Sequence, residues 1–581
     1  MFSNRLLAGL SLSMMICSVA MARNVVDATE FGIYPDTYKN SVEDIRRAID
    51  YCREHGSTTL RFTPGRYDIW PDGAVKKEIY ISNTSSESQC PSKVKTFGIM
   101  LDGLDDIEID GNDSHFIMHG DITPVGVYQS SGIVLKNFTV DYERPLGSEL
   151  TYTSVAPGKV TLEVHPDSRY DIRDSIINII GEGWRSNVIY CIKYSPDNGH
   201  YSYSNDWKVL GESKVKEVAH NKLEFATPPD FAPRIGDVLT LRDIIRTQVG
   251  MMLMESDGIL LDNLKMRYMH AIGIVGQASS NITLRDVECA PDPASGRVMA
   301  SSADCTHFSG CSGELVMERC RFVGAQDDGI NVHGVYMRIM ERSDDRSVVA
   351  RFMHHESYGF QVFWPGDTVA FVNPATMLRE AQGVVESVEA VDPRTVRITF
   401  AGTLPQGIAE NTTCVENLTR TPSLRVSDCY FSRLLTRGVL CTTPRRVVIE
   451  NNVFEHVGRS AVYISSDASE WYESGAVSDV TIRGNKIVDC GYNAGSDCGM
   501  IMLEPTNKLT DPRKPVHENI LITSNEFASP GHPVLFAKST RNIRFVDNRV
   551  VGYVPEFILK ACDKVSISGN DMEKPVIVRS K

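Results

Sequence analysis

The sequence predicts an all-β chain: a right-handed parallel β-helix, a solenoid of stacked coils, carrying two small inserted β-barrel domains. Three observations predict it. First, an apolar strand, an Asn and more apolar residues recur as "VVIENNVF", "VTIRGNKI", "ILITSNEF", "IRFVDNRV" and "VSISGNDM". The asparagines are Asn452, Asn485, Asn525, Asn548 and Asn570, and the last two intervals are 23 and 22 residues. Second, "DGILLDNLKM" and "SNITLRDVEC" repeat with Ile259 and Ile282 in step, 23 residues apart. A period of this length with short strands marks a solenoid. Third, residues 150–246 and 335–420 break the period with alternating strands and turns, and each contains a "GD" turn before a strand ("PRIGDVLTLRD", "WPGDTVAFVNP").

The elements follow in order. Residues 1–22 read as a secretory signal peptide. Arg5 precedes the apolar run Leu6 to Val19, and Ala20-Met21-Ala22 fits an A-x-A cleavage site, so the mature chain is expected to begin at Arg23. The apolar run is shorter than the roughly 20 residues of a spanning helix. Cys17 has Ile16 where a lipoprotein signal places a small residue. The expected product is exported, periplasmic or secreted, with no membrane span. Residues 23–149 hold an amphipathic helix with Val42, Ile45, Ile49 and Cys52 on one face, then a Pro64-Gly65 turn and the first coils. Such a helix caps the open end of a solenoid core. The first barrel insertion spans 150–246, catalytic coils span 247–334, the second barrel spans 335–420, and the last coils span 421–581. In each late coil the Asn stands at a turn, where its amide can bond the Asn above and below and where Asn tolerates left-handed backbone.

The chain of 581 residues is 42% hydrophobic, enough to fill a long core, and carries a net charge of −14. That balance argues against nucleic acid or an anionic membrane surface as main partner, because both demand clustered Lys and Arg. Without Cys17, thirteen of the 14 cysteines remain, an odd number. No C-x-x-C pair is present, so a thiolate zinc site is not expected. Cys289, Cys320, Cys429, Cys490 and Cys562 lie in apolar stretches and read as buried free thiols.

The chemistry concentrates in "SSADCTHFSG" and "GAQDDGINVHG". Asp304 and Asp327 are 23 residues apart, one coil, so Asp304 should meet Asp327 and Asp328 on a neighbouring coil. Adjacent strand residues face opposite ways, so the pair can share a face only at a turn or bulge, for which Gly324 and Gly329 supply freedom. Crowded carboxylates repel, and one of them keeps its proton at neutral pH. An acid beside bases is what glycoside hydrolysis requires. Diagonal placement on adjacent coils suits the wider spacing, roughly 6.5–9.5 Å, that admits a water and predicts inversion. An Asp-Asp-Gly is otherwise a common solvated turn, and three carboxylates also suit calcium. The one-coil spacing favours catalysis over both, and no cofactor is expected. His307 and His333 flank the cluster, either binding sugar hydroxyls or satisfying a buried turn.

"QDDG" with an Asp one coil earlier is similar to the polygalacturonases of glycoside hydrolase family 28. Their "NTDG" is replaced here by "SADCTHF", and their downstream "RIK", which holds a uronate, is absent. A neutral sugar is therefore expected. "NFTVDYERP", "DCTHF", "AQDDGINVHG", the two insertions and "YISSDASEWYESG" more fully resemble glycoside hydrolase family 110, the exo-acting α-1,3-galactosidases of gut bacteria. The resemblance implies metal-independent, inverting release of terminal galactose, including from the blood group B antigen, and activity on linear α-1,3-galactosides is expected as well. It implies Asp327 as general acid, with Asp304 and Asp328 holding and deprotonating the water. Trp471 and Glu473 are candidate substrate-binding residues, and Asp141 and Arg144 are weaker ones that a strand-end ion pair explains as well. The expected partner is an oligosaccharide or glycoconjugate with terminal α-galactose, and the solenoid flanks offer surfaces on which a homo-oligomer can form. The rivals are a polygalacturonase-like glycosidase, a calcium-dependent lyase, and a non-catalytic glycan-binding solenoid.

Overall fold

The computed structural model describes residues 23–186, 189–243 and 245–580. The export signal and Cys17 lie outside the described residues. Among those described, no helix is long and apolar enough to cross a membrane.

Successive coils lay their strands side by side in parallel register. One ladder runs Val26, Leu60, Ile109, Leu135, Leu261, Leu284, Met317, Val426, Ile449, Ile482, Ile522, Phe545 and Ile567. All but the terminal Ile567 are buried. Each buried side chain of this kind stabilises by about 1.5–3 kcal/mol, so the repeat is itself the source of cohesion. A second ladder runs Val125, Met251, Ile274, Thr306, Ile330, Val439, Val462, Ile501, Leu535 and Phe557. The helix Val42–His55 turns Val42, Ile45, Ala48, Ile49 and Cys52 onto the first coils and closes that end of the core.

The asparagines stack as expected. Asn452 Nδ2 donates to Asn485 Oδ1 (3.0 Å), Asn485 to Asn525 (2.9 Å), Asn525 to Asn548 (3.0 Å) and Asn548 to Asn570 (3.2 Å). The left-handed backbone, however, belongs to the residue before each: Asn451, Gly484, Ser524, Asp547 and Gly569. The ladder Asn is chosen for its amide alone. In the two preceding coils Cys429 and Cys320 take its place, and the Cys320 amide meets Cys429 Sγ at 3.4 Å. All thirteen described cysteines are free, and eleven are buried.

Two insertions leave the helix. Barrel I contains the antiparallel strands Gly147–Ala156, Lys159–Val164, Ile189–Ser195, His200–Tyr203, Val215–Ala219, Lys222–Ala226 and Val238–Asp243 around its own apolar centre. Barrel II grows directly from a solenoid strand. Ile330–Arg342 begins in a coil and ends in the barrel, where it pairs with Ser347–Arg351 and Cys414–Asn417. Thr368–Asn373, Leu378–Asp392 and Thr395–Phe400 close the ring.

Candidate active site

Asp304 stands two residues before the strand Thr306–Ser309, and Asp327 and Asp328 lie in the bend before Ile330–Arg342. Thr306 pairs with Ile330, so Asp304 stands over Asp328 and Asp327 lies diagonal to it. Asp328 N donates to Asp304 Oδ1 (3.1 Å). Gly324 provides the left-handed turn (φ 82°) that starts the bend. Gly329 serves differently from expectation: its φ is not positive, but a Cβ there would approach Gly438 O to 2.7 Å. It is a close-approach glycine that lets the next coil pack.

The three carboxylates offer oxygens that lie within 4.8 Å of one another. They are closer than the wide spacing expected from sequence, because stacked coils bring in-register side chains nearly into contact. Asp328 is saturated by cationic and neutral donors. Arg437 grips it with Nε on Oδ1 (2.8 Å) and Nη2 on Oδ2 (2.7 Å), the Arg437 amide adds 3.0 Å to Oδ1, and Thr436 Oγ1 donates to Oδ1 at 2.5 Å. The positive charge that a cation would bring to Asp328 is thus already supplied by the guanidinium. Burial, then the negative charge of Asp328, raises the Asp304 carboxyl to about 7. Burial, then Asp304 and Asp328, raises Asp327 to about 7 as well. Asp327 nonetheless keeps 35% of its side chain open to the pocket, against 9% for Asp304 and 1% for Asp328.

Counting hydrogens places the protons. Thr436 Oγ1 has one hydrogen and two carboxyl neighbours, Asp328 Oδ1 at 2.5 Å and Asp327 Oδ1 at 2.8 Å. With that hydrogen on the ionised Asp328, Asp327 supplies its own and donates back to the hydroxyl. Behind Asp304 runs a second file. Asp304 Oδ2 meets His307 Nδ1 (2.8 Å), His307 Nε2 meets His333 Nε2 (2.9 Å), and His333 Nδ1 meets Gly334 O (2.7 Å). The carbonyl only accepts, so His333 Nδ1 carries a hydrogen. Three contacts in file then require three hydrogens, one of them shared between Asp304 and His307. Burial lowers the basicity of both imidazoles, which puts the shared proton on Asp304 at rest. Both histidines are buried and do not line the pocket. The sugar-contacting role weighed for them gives way to a backing role. Phe308, Ile330 and Val332 face the core, so His307 and His333 lie on the outer face of their strands, together with pocket-lining Asn331, and back the pocket because neighbours such as Glu473 cover them.

The pocket holds about 260 Å³ and is lined by all three aspartates together with Trp471 and Glu473. Glu473 pairs beside the catalytic strand, Val335 opposite Glu473, and its Oε1 accepts from Asn83 Nδ2 (3.0 Å). Trp471 is 43% exposed, its ring 4.3 Å from that of His354 in the barrel II insertion. Asp467 caps the same loop, accepting from the amides of Ser469 (2.7 Å), Glu470 (3.0 Å) and Trp471 (2.8 Å). Asp141 and Arg144 are elsewhere: Asp141 pairs with Arg297, and Arg144 borders a separate surface pocket. Sequence reasoning missed Asn83, Arg246, Asn331, Arg437, Arg459 and Tyr463, which also line the site. Arg437 had a signal. It is 109 residues from Asp328, but the second insertion accounts for the excess, and Ile330 pairs with Val439, which sets Arg437 one coil beyond Asp328.

Family comparisons agree with this architecture. Residues 148–239 match the GLAA-B beta-barrel domain I family, and residues 347–412 match GLAA-B beta-barrel domain II. The chain is 46% identical to an alpha-1,3-galactosidase A of Bacteroides fragilis over 95% of its own length and 93% of the relative's. The chain belongs to the alpha-1,3-galactosidase family. It is therefore a glycoside hydrolase. An alpha-1,3-galactosidase B of Bacteroides thetaiotaomicron is 34% identical over 98% of this chain and 94% of its own. Among solved structures, the A-module of an Azotobacter vinelandii mannuronan C-5 epimerase covers 94% of this family member and 99% of itself, at TM-score 0.44 and 11% identity.

Proposed function

We propose that this protein removes terminal α-1,3-linked galactose, by inversion, from branched blood group B structures and from linear α-1,3-galactosides. The observation that carries the reading is a pocket with one open, protonated carboxyl, Asp327, beside two shielded acidic groups, the protonated Asp304 and the Arg437-held Asp328, in a chain 46% identical to a galactosidase. Asp327 protonates the glycosidic oxygen as general acid. Asp328, its oxygens taken up by Arg437 and Thr436, serves to position water. Asp304 takes the water's proton while its own moves to His307 Nδ1, and the imidazolium so formed is offset by Glu473, 3.5 Å from His333 Nε2. Spacing alone does not argue for inversion. The shielding does, since Asp304 and Asp328 keep only 9% and 1% of their side chains open, which disfavours direct attack on the anomeric carbon, while a water can reach Asp304 from the pocket. A neutral sugar fits because the acidic groups Asp304, Asp327, Asp328, Asp467, Glu470 and Glu473 outnumber Arg246, Arg437 and Arg459 in the lining. The export signal would place this activity outside the cytoplasm.

The test is proton NMR of the purified protein with α-1,3-galactobiose and, separately, the blood group B trisaccharide. Early β-galactose is expected from both. Early α-galactose would overturn the roles of Asp304 and Asp328, since retention needs a carboxylate nucleophile in place of an activated water, and cleavage of tri-galacturonate instead would assign the chain to pectin chemistry.

A further inference from the structure

The general acid fixes which way a substrate lies. With galactose in the pocket and its glycosidic oxygen at Asp327, the remaining sugars must extend past Asp327. Barrel I stands on that side. Arg242 of its strand Val238–Asp243 donates from Nε to Gln326 Oε1 (3.0 Å), and Gln326 directly precedes Asp327. The Arg242 guanidinium lies 4.5 Å over the ring of Tyr190. Tyr190 and Tyr203 are both within electrostatic reach of the Asp327 carboxyl, and Tyr203 also of Arg459 and Arg437 in the pocket wall.

From these two tyrosines a groove of about 700 Å³, larger than the catalytic pocket, runs over barrel I. Trp207 is part of its buried floor, and Asn205, Lys208 and Glu212 edge it with donors and acceptors. Tyr203 is left 55% exposed. An aromatic ring held open to water beside polar groups suits the apolar face and ringed hydroxyls of a sugar. We propose that this groove is the leaving-group subsite, binding the neutral sugar rings on the reducing side of the scissile galactose. The inference rests on the galactosidase reading and adds to it where selection among longer glycans is made.

The test is the ratio of kcat/KM for a trisaccharide, α-1,3-galactobiose extended by one neutral sugar at its reducing end, to that for α-1,3-galactobiose itself. Wild type should favour the trisaccharide. Tyr203→Ala should lower the ratio by about tenfold, the scale of one lost ring contact. Tyr203→Phe keeps the ring and should keep the ratio. A wild-type ratio of one or less, or an unchanged ratio in Tyr203→Ala, overturns the groove. So does a dimer that Tyr203→Ala dissociates without altering the ratio, since the ring would then be a contact between copies. If wild type cleaves neither sugar, the galactosidase reading itself fails, and that failure is distinct because it shows before any substitution.

Discussion

The two barrels flank one pocket and treat it differently. Barrel I leaves the solenoid and returns to touch the catalytic bend from outside, through Arg242 on Gln326 and through Gln326 Nε2 on Thr240 Oγ1 (2.6 Å). Its face near Asp327 is open and aromatic. Barrel II is an extension of the catalytic strand, and its contacts close the other wall. Tyr336 N donates to Tyr472 O (2.8 Å), Tyr336 Oη meets Ser466 Oγ (3.0 Å), and the insertion's Ser357 hydrogen-bonds Asn83, which in turn holds Glu473. An insertion that only rests on a site can vary its surface without disturbing the chemistry, whereas one that continues the catalytic strand is tied to its register. The barrel I side should therefore set what leaves, and the barrel II side how galactose is held.

The strongest test of that division is to remove each proton-transfer group in turn. Asp327→Asn should cost about 10²–10⁴-fold in kcat on α-1,3-galactobiose. The loss should be much smaller on 4-nitrophenyl α-galactoside, whose leaving group departs with little protonation. Asp304→Asn should cost a similar factor on both substrates, since a base does not act on the leaving group. Equal losses for Asp327→Asn on the two substrates would break the link between Asp327, barrel I and the leaving group. Asp304→Asn also has a stability signature. Asn can donate to His307 and accept from Asp328 N, as the protonated Asp does. Because the folded protein holds the Asp304 proton up to about 7 and an unfolded chain releases it near 3.8, wild-type stability must decline as pH rises through that window. The Asn variant lacks this decline, so urea melts should match near pH 4 and favour the variant at pH 8.

Next in size is Arg437→Met. It strands Asp328 as a buried, unpaired carboxylate, an arrangement that costs about 3–5 kcal/mol. Urea unfolding should show it, and Asp328→Asn in the same chain should recover part of the loss. His307→Gln is gentler. The amide still bonds Asp304 but passes no proton onward, so kcat should fall by about 10- to 100-fold with KM little changed. Stopped assays across pH 5–8 would separate this from a packing defect, which would leave the profile's shape intact.

Much of this division was legible in the sequence and some was not. The coils, the Asn ladder and the meeting of Asp304 with Asp327 and Asp328 follow from a period near 23, because register in a solenoid converts spacing into contact. The burial of His307 and His333 did not follow. Strand alternation puts both on the outer face, but the cover over them includes Glu473, which lies far along the chain and outside any spacing that points to it. Asn83 and Arg246 come from segments that belong to no coil repeat, so no periodicity points to them. Arg437 was hidden by the second insertion lying between it and Asp328.

The smallest predicted effect bears most directly on barrel II. Ser357 is buried, and its hydroxyl meets both Ser82 Oγ (3.1 Å) and Asn83. Ser357→Ala removes one hydroxyl from that wall and leaves the carboxylates, Arg437 and all of barrel I untouched. Asn83 then loses a partner while keeping Glu473, so the galactose wall loosens without losing a charge. A single lost hydrogen bond of this kind is worth about 1 kcal/mol, or roughly a fivefold change. That change should fall on KM for galactobiose and for the nitrophenyl galactoside alike, with the trisaccharide-to-disaccharide ratio unmoved. If the ratio shifts instead, barrel II also reads the leaving group, and the two insertions share a task that their attachments to the solenoid separate.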